Sequence, residues 1–557
     1  MAGEAEGEVV VPPTLQALLA ARLDQLDTAE RSVLERGAIE GEIFHRGAVQ
    51  ALAPEETQVT PRLAALVRKE LIRPDTPQLA GEDGFRFRHL LIRDAAYDAL
   101  PKAVRAELHE LFAAWLEEHR AELVELDEIL GYHLEQAATY KAALGQGDSA
   151  LAERAGGRLA AAGRRALWRG DLRAARSLLE RALEQTRPLR LDVHLELDLA
   201  DVHHFLPRER VAITAQAAER AREAGDPVGE ALALVAAAHA RTLLGDDRAT
   251  EELERIARTA LPLLERAGDH AGLARVWFAL AYGVSNQLGR YEEMAQAAEQ
   301  SLRSARLAGQ GSFRLAGLPL ALRLGPRPAD EALETLDSVP SVKPEPDLLL
   351  TRATLLAMLG RFEEAWSLAL PAAERWRELG GEAEHDEKLG EIAVIAGDHS
   401  KAVEYLRGMC EMLERRGSRG FLSTYAPMLG RSLCALDRYD EAEPLAQLGR
   451  ELGTQEDFIT QMLWRQVQAL VHAHRGQHTE AERLAREAVA VGEKTDALNM
   501  EGDALCDLAK VLVAAGRTNE AAATFEQALD RYERKKNLAM VAQVRRRLAE
   551  LRVGAPR

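Results

Sequence analysis

The chain has 557 residues, with 71 Lys and Arg against 89 Asp and Glu, a formal net charge of −18. An acidic chain without a basic block is excluded from binding nucleic acid or membrane through bulk charge, and three widely spaced cysteines (Cys410, Cys434, Cys506) exclude a disulfide framework. Hydrophobic residues make up 47% but aromatics only 5%, and there is no charged leader or long apolar run, so stacked helices in a reducing cytoplasm are expected rather than sheets, secretion or membrane spans.

In chain order, residues 1–11 read as a disordered N-terminus and 12–101 as a small separate domain. A polar-capped helix is expected from Thr28 (TAERSVLERGAI), a short one from His45 (HRGAVQAL), and a third from about Val59 to Glu70 (VTPRLAALVRKE). The stretch LIRPDTPQLAGEDGFRFRH, with Pro74, Pro77 and its GEDG turn, reads as a β-hairpin. Three helices followed by a hairpin is the winged-helix order. An amphipathic helix, HLLIRDAAYDALP, closes at Pro101. Two more, RAELHELFAAWLEEH and LDEILGYHLEQAATY, form a helical bridge over 102–154 with a flexible break at Gly145 to Asp148.

From there one motif recurs: a turn residue, a polar one, an aromatic or small polar one, two mostly acidic or polar ones, then Ala. It reads GDLRAA from Gly170, GRYEEM from Gly289, GRFEEA from Gly360, GDHSKA from Gly397, DRYDEA from Asp437, GQHTEA from Gly476 and GRTNEA from Gly516. Degenerate copies start at Pro207, Gly245 and Arg327, which gives ten units at a period of about 38 residues. Each copy is expected to be the turn between two antiparallel helices. The Gly lets the chain leave the first helix in a left-handed conformation, and the acids after it face the positive end of the next helix dipole. The Ala five residues on (Ala175, Ala365, Ala402, Ala442, Ala481, Ala521) must be small because a neighbouring helix packs over it, and a second small residue follows seven later at Ala182, Ala372, Ala488 and Ala528. The expected fold is all-α, a superhelical solenoid of about ten hairpins over 155–550 with a 551–557 tail.

These units resemble tetratricopeptide repeats, most closely at GRFEEAW, GQHTEAERLAREAV and GRTNEAAATFEQAL. Residues 11 to about 185, including FRFRHLLIRDAAYDALP and ILGYHLEQAATY, resemble the segment after the ATPase domain in large bacterial proteins that join a nucleotide cyclase or other output domain, a STAND-class signalling ATPase and tetratricopeptide repeats. The resemblance implies a repeat sensor and a winged-helix relay. No G-x-x-x-x-G-K-[ST] loop or cyclase-like domain occurs, so a truncated relative, a separate subunit or the product of a misplaced start codon is expected.

The resemblance also places His89, in FRFRH, where a winged-helix His approaches bound ADP, here only in trans with an ATPase domain. Arg62, Arg68, Lys69, Arg73, Arg86 and Arg88 suggest DNA, but Glu55, Glu56, Glu70, Asp75, Glu82 and Asp83 are interleaved and largely cancel their field. His472, His474 and His478 flank Gly476, which breaks the helical spacing a metal pair needs, and GEKT at Gly492 to Thr495 reads as a helix end. Trp168, Tyr291, Phe362, Trp366, Tyr439, Trp464 and Phe525 are expected mostly in the core between repeats. No catalytic residue, cofactor or metal site is expected. The leading expectation is a non-enzymatic module that binds a protein or ligand in its concave groove and relays this to an ATPase or cyclase partner. The alternatives are a piece of an ATP-binding regulator and a winged-helix transcriptional regulator.

Overall fold

The computed structural model describes residues 21–119, 123, 125–169, 171–203, 207–242, 248–309, 317–339, 346–378, 382–383 and 385–554. The terminus expected to be disordered (1–11), the turn residue Gly170 and the degenerate turn at Gly245 lie outside them. Two compact units divide at residue 230.

Asp27 opens the first unit with a capping box. Its carboxylate accepts from Ala29 N (3.0 Å) and Glu30 N (2.8 Å), and Glu30 accepts from Asp27 N (3.4 Å), which fixes the start of α1 (Thr28–Glu40). The chain then runs through β1 (Ile43–His45), α2 (Arg46–Leu52), α3 (Val59–Arg68), β2 (Ile72–Asp75) and β3 (Gly84–Phe87). The hairpin pairs Ile72 with Phe87 and Asp75 with Gly84, and β1 adds to the other edge of β3 to give the order β1-β3-β2. Phe44 and Phe87 bring the sheet onto Val33, Leu34, Leu63, Leu66 and Ile92, all buried. His45, expected to begin a helix, instead ends β1. Its Nε2 accepts from Gln78 N (3.0 Å) and Leu79 N (3.2 Å), so Nδ1 carries the proton toward Glu40 (2.5 Å) and the ring ties the sheet to the hairpin loop.

After α4 (Leu90–Asp98) come α5 (Lys102–His119), α6 (Leu126–Ala143), α7 (Ser149–Trp168), α8 (Leu172–Thr186), α9 (Val193–Val202) and α10 (Pro207–Glu223), each packed on the next from α5 to α8; α11 (Pro227–Thr242) spans the division.

The second unit continues with α12 (Ala249–Ala267), then α13 (His270–Ala279), which runs into a π-helical stretch at Leu280–Ser285, and α14 (Tyr291–Leu307). Shorter helices follow, α15 (Leu318–Leu324), α16 (Ala329–Asp337) and α17 (Pro346–Met358). Five regular pairs complete it: α18 (Phe362–Glu378) and α19 (Asp386–Ala396), α20 (His399–Arg415) and α21 (Arg419–Cys434), α22 (Tyr439–Leu452) and α23 (Phe458–His474), α24 (His478–Gly492) and α25 (Leu498–Ala514), α26 (Thr518–Lys535) and α27 (Leu538–Gly554). The last helix passes the expected boundary at 550 because Leu551 packs on the core around Val544 and Leu548.

The recurrent turns have one geometry. Gly289, Gly360, Gly397, Gly476 and Gly516 take φ between 65° and 80°. The next residue in each case donates its N–H back across the turn, as Arg361 N does to Leu356 O and Arg517 N to Leu512 O (both 2.9 Å), which satisfies a carbonyl the helix end leaves open. At the DRYDEA turn Asp437 holds the same left-handed conformation (φ 58°) without being glycine. Ala175, Ala365, Ala402, Ala442, Ala481 and Ala521 are each fully buried, and so are Ala182, Ala488 and Ala528. Among the described residues no helix is long and apolar enough to cross a membrane.

Candidate functional site: a polar ladder on the inner helices

In the N-terminal domain three of the six basic residues singled out for DNA are paired with acids of the same domain, while Arg68, Arg73 and Arg88 are exposed. Arg62 pairs with Asp27 (3.2 Å) and Glu56 (3.8 Å), Lys69 with Glu30, and Arg86 with Glu42 (2.5 Å) and Asp75. His89 is exposed at the N-cap of α4 and makes no side-chain capping bond.

Just beyond it a chain of polar rings, with two half-buried tyrosines and two buried histidines, joins α4 to the bridge. Tyr97 Oη meets Tyr140 Oη (3.0 Å) and His109 Nε2 (2.7 Å), and His109 Nδ1 meets His133 Nδ1 (2.7 Å). Burial, with Arg93 and Arg105 nearby, pushes the His109 imidazole down to about 3, and burial holds His133 well below its usual value too. Both rings are therefore neutral at pH 7. Neutral rings suit the Nδ1···Nδ1 contact, which needs one donor and one acceptor; two imidazolium rings would set N–H against N–H.

The larger polar feature lies in the second unit. Alternate helices pack side by side in two runs, α15 with α17 and α17 with α19, then α21 with α23 and α23 with α25. Each run carries ion pairs, which together make a polar ladder. Arg323 on α15 pairs with Glu391 on α19, while Lys388 reaches Glu387 (2.7 Å) and Asp347 (2.9 Å). Further along, Arg431 on α21 holds Asp507 (2.6 Å) and Asp503 (2.9 Å) of α25, Gln466 donates to Asp507 (3.2 Å), and Tyr532 Oη donates to Asp503 (2.6 Å). Burial works to raise the Asp507 carboxyl, but Arg431 and Lys510 outweigh it and keep it below the usual carboxylate range. The ladder is not sealed: the Asp347 and Asp503 side chains remain 43% and 28% exposed.

Two positions that look ordinary in sequence close this unit on itself. Lys535, the last residue of α26, is fully buried and donates to Leu322 O (2.7 Å), Gly325 O (2.7 Å) and Arg327 O (2.8 Å). These are carbonyls at and just beyond the C-terminus of α15, the negative end of its dipole. Burial pushes the Lys535 ammonium down to about 7. Asp496, directly after GEKT, accepts from Tyr291 N (2.7 Å) and Glu292 N (2.9 Å), and its own N–H donates to Gly289 O (3.1 Å). The segment that imitates a phosphate loop thus leads into the cap of a distant helix. Sequence reading missed Asp496, Lys535 and the His109–His133 pair; an Asp after a turn and a Lys in RKK carry no local mark of burial.

The remaining expected positions resolve as follows. His474 ends α23 and stacks on Tyr439 with ring centroids 4.1 Å apart, while His478 begins α24 and Glu480 pairs with Arg483. No group of metal-ligating side chains assembles among the described residues. Cys410, Cys434 and Cys506 are buried thiols, pushed up to about 12 mainly by burial, which disfavours the thiolate that nucleophilic chemistry needs. Tyr291, Trp464 and Phe525 are buried, and Phe362, Trp366 and Tyr439 half-buried; the Trp168 side chain lies outside the described residues.

The tetratricopeptide-repeat family model matches residues 460–534, which hold α23 to α26 and the turns at Gly476 and Gly516. The fold is an all-α tetratricopeptide-repeat solenoid. No curated protein matches the chain. Among solved structures it is similar to a signal transduction ATPase with numerous domains (STAND) carrying a tetratricopeptide-repeat sensor, from Pyrococcus horikoshii, at 14% identity over 97% of this chain and 68% of that one, with a TM-score of 0.38. It is also similar to the APC/C hetero-tetramer Cut9–Hcn1 (15% identity, 82% of this chain and 92% of that one, TM-score 0.42) and to yeast Tom70 (14%, 82% and 100%, TM-score 0.30). The fold assignment rests on the hairpins themselves and on the repeat match.

Proposed function

We propose that the chain is a non-catalytic signalling or scaffold module that binds a protein segment along the polar ladder and passes its occupancy through the bridge to an ATPase or cyclase partner. The observation that carries the reading is the ladder itself. Alternate helices of a repeat fold present paired acids and bases in two side-by-side runs, with Asp347 and Asp503 still reachable by water. An incoming peptide can exchange its own charges for these pairs at little cost in unsatisfied groups. The helix, strand and hairpin order of residues 28–87 supports a winged-helix domain within 12–101, followed by the bridge at 102–154 and the repeats at 155–550. His89, exposed at the edge of that domain, is the residue we assign to a partner ATPase's nucleotide.

A photo-crosslinking residue placed at Asp347 or Asp503 in the full chain should capture a protein partner. Capture only from an outer position such as Arg375 would count against the ladder as the binding surface. Retention on duplex DNA at moderate salt would favour the transcriptional alternative, and micromolar ATP binding by the purified chain would favour the ATP-binding one.

A further inference from the structure

In an open array of helical hairpins each unit touches only its neighbours. The second unit departs from this. Its last two hairpins return to helices far upstream through contacts 141 to 213 residues apart in sequence. Asp496 caps α14, Lys535 fills the carbonyl end of α15, Lys536 pairs with Asp330 at the start of α16, Asn499 Nδ2 donates to Met358 Sδ on α17 (3.5 Å), and Gln543 Nε2 donates to Ile395 O on α19 (2.8 Å). Gly289 shows how close the approach is, since a Cβ there would lie 2.6 Å from the Thr495 side chain.

The chemistry of these contacts differs from that of the packing between neighbouring hairpins. Successive hairpins are joined by apolar seams around residues such as Ala442, Ala481 and Ala521. The return contacts named here are instead polar and directional: Asp496, Lys535 and Gln543 reach backbone groups near helix ends, Lys536 an exposed opposite charge and Asn499 a thioether sulfur. This return seam also holds apolar packing, since Ala497 is buried in the core around Leu350, Leu389 and Ile395 and Met500 and Ala539 pack against it, so opening it exposes these side chains as well as the polar groups. The return contacts also span the ladder: Arg323 and Lys388 lie on helices that the returning segment touches, and Asp503 lies on the returning segment itself.

We propose that residues 496–554 are a latch, held by Asp496 and Lys535 on the turn before α14 and the end of α15, and that a protein segment entering the ladder competes with the latched arrangement. The functional half rests on the ladder being the binding surface; the latch itself does not. A ligand favours the open form only if it binds that form better than the latched one, and the pairs of Arg431 with Asp503 and Asp507 of the returning segment supply that difference.

Hydrogen–deuterium exchange on the full chain, without any partner, tests the latch. Asp496→Ala should speed exchange of the amides around Lys535 and of 322–327 by about tenfold, and Lys535→Met should do the same for Tyr291 and Glu292, although neither residue touches the other's site. Lys536→Ala, at an exposed position, provides a variant that folds normally and should produce a smaller rise on both sides. If each substitution raises exchange only in its own helix and immediate contacts, the latch is overturned and the contacts are independent. Failure of Asp347 to crosslink a partner would overturn the ladder reading while leaving this exchange result intact.

Discussion

The carboxylate of Asp496 caps a helix that begins 205 residues earlier in the chain, at Tyr291. Its two oxygens take the first two N–H groups of α14, an arrangement usually supplied by the residue just before a helix, a position held here by Arg290, which makes no capping bond. Asp496→Ala should cost about 1–2 kcal/mol, and Asp496→Asn less, because the amide oxygen can still accept one of the two. Urea unfolding of the three proteins side by side measures the difference.

Lys535 makes stability depend on pH in an unusual direction. Its ammonium sits at about 7 in the folded chain against 10.5 when free in water, so between these values the unfolded state holds a proton that the folded state has released. The contribution from this residue is greatest above 10.5 and is lost as pH falls toward 7. Relative to Lys535→Met, the native protein should gain stability steadily from pH 7 to pH 10. At pH 10 the Met variant should be weaker by about 3 kcal/mol, since the carbonyls at the end of α15 lose their donor. A flat difference across that range would mean that the three carbonyls keep Lys535 charged.

The His109–His133 contact predicts a response of the same sign at lower pH. With His109 at about 3 in the fold and near 6.5 when unfolded, the neutral ring is stabilising above 6.5, and that stability is lost as pH drops through the interval between them. Acid should therefore loosen the joint between α4 and the bridge before carboxylates titrate. In a proton NMR titration, neither ring should shift between pH 8 and pH 5. His109→Gln should flatten the stability profile below pH 6.5.

Among the described recurrent turns, Asp437 is the one where a side chain tolerates the left-handed conformation that glycine adopts at the others named above. Asp437→Gly should raise stability by about 1 kcal/mol, after the loss of a long exposed bond from Tyr439 Oη (3.3 Å). Gly397→Ala, at φ 80°, should lower it by a similar amount, and melting temperatures of the pair give the sign directly.

At Ala521, fully buried under its neighbour, substitution by Leu should cost about 1–3 kcal/mol through overpacking. An exposed Ala on the same helix, such as Ala523, should accept Leu without measurable loss.

The hairpins were legible in the sequence because their determinants are local. A turn glycine and an alanine five residues later act within one hairpin, and the spacing repeats. β1 was not legible: IFH has no strand signature of its own and becomes a strand only by pairing with Phe85 and its neighbours on β3. The ladder was visible only as a richness in Arg and Glu, since which Arg meets which acid depends on helices such as α21 and α25 that are separated by 72 to 76 residues at their contact points. Asp496 and Lys535 were invisible for the same reason carried further. Tyr97, His109, His133 and Tyr140 all lie in stretches the sequence singles out, yet nothing in them announces a shared contact.

The cap on α14 also sets an order of events during synthesis. When Tyr291 leaves the ribosome its helix has no partner for its leading amides, and the residue that supplies one lies 205 positions downstream. At ordinary elongation rates that wait is roughly 10–40 s. Throughout it, α14 and α15 must persist with bare ends, which makes the nascent chain at this stage a natural client for chaperones and a sensitive point for rare-codon placement.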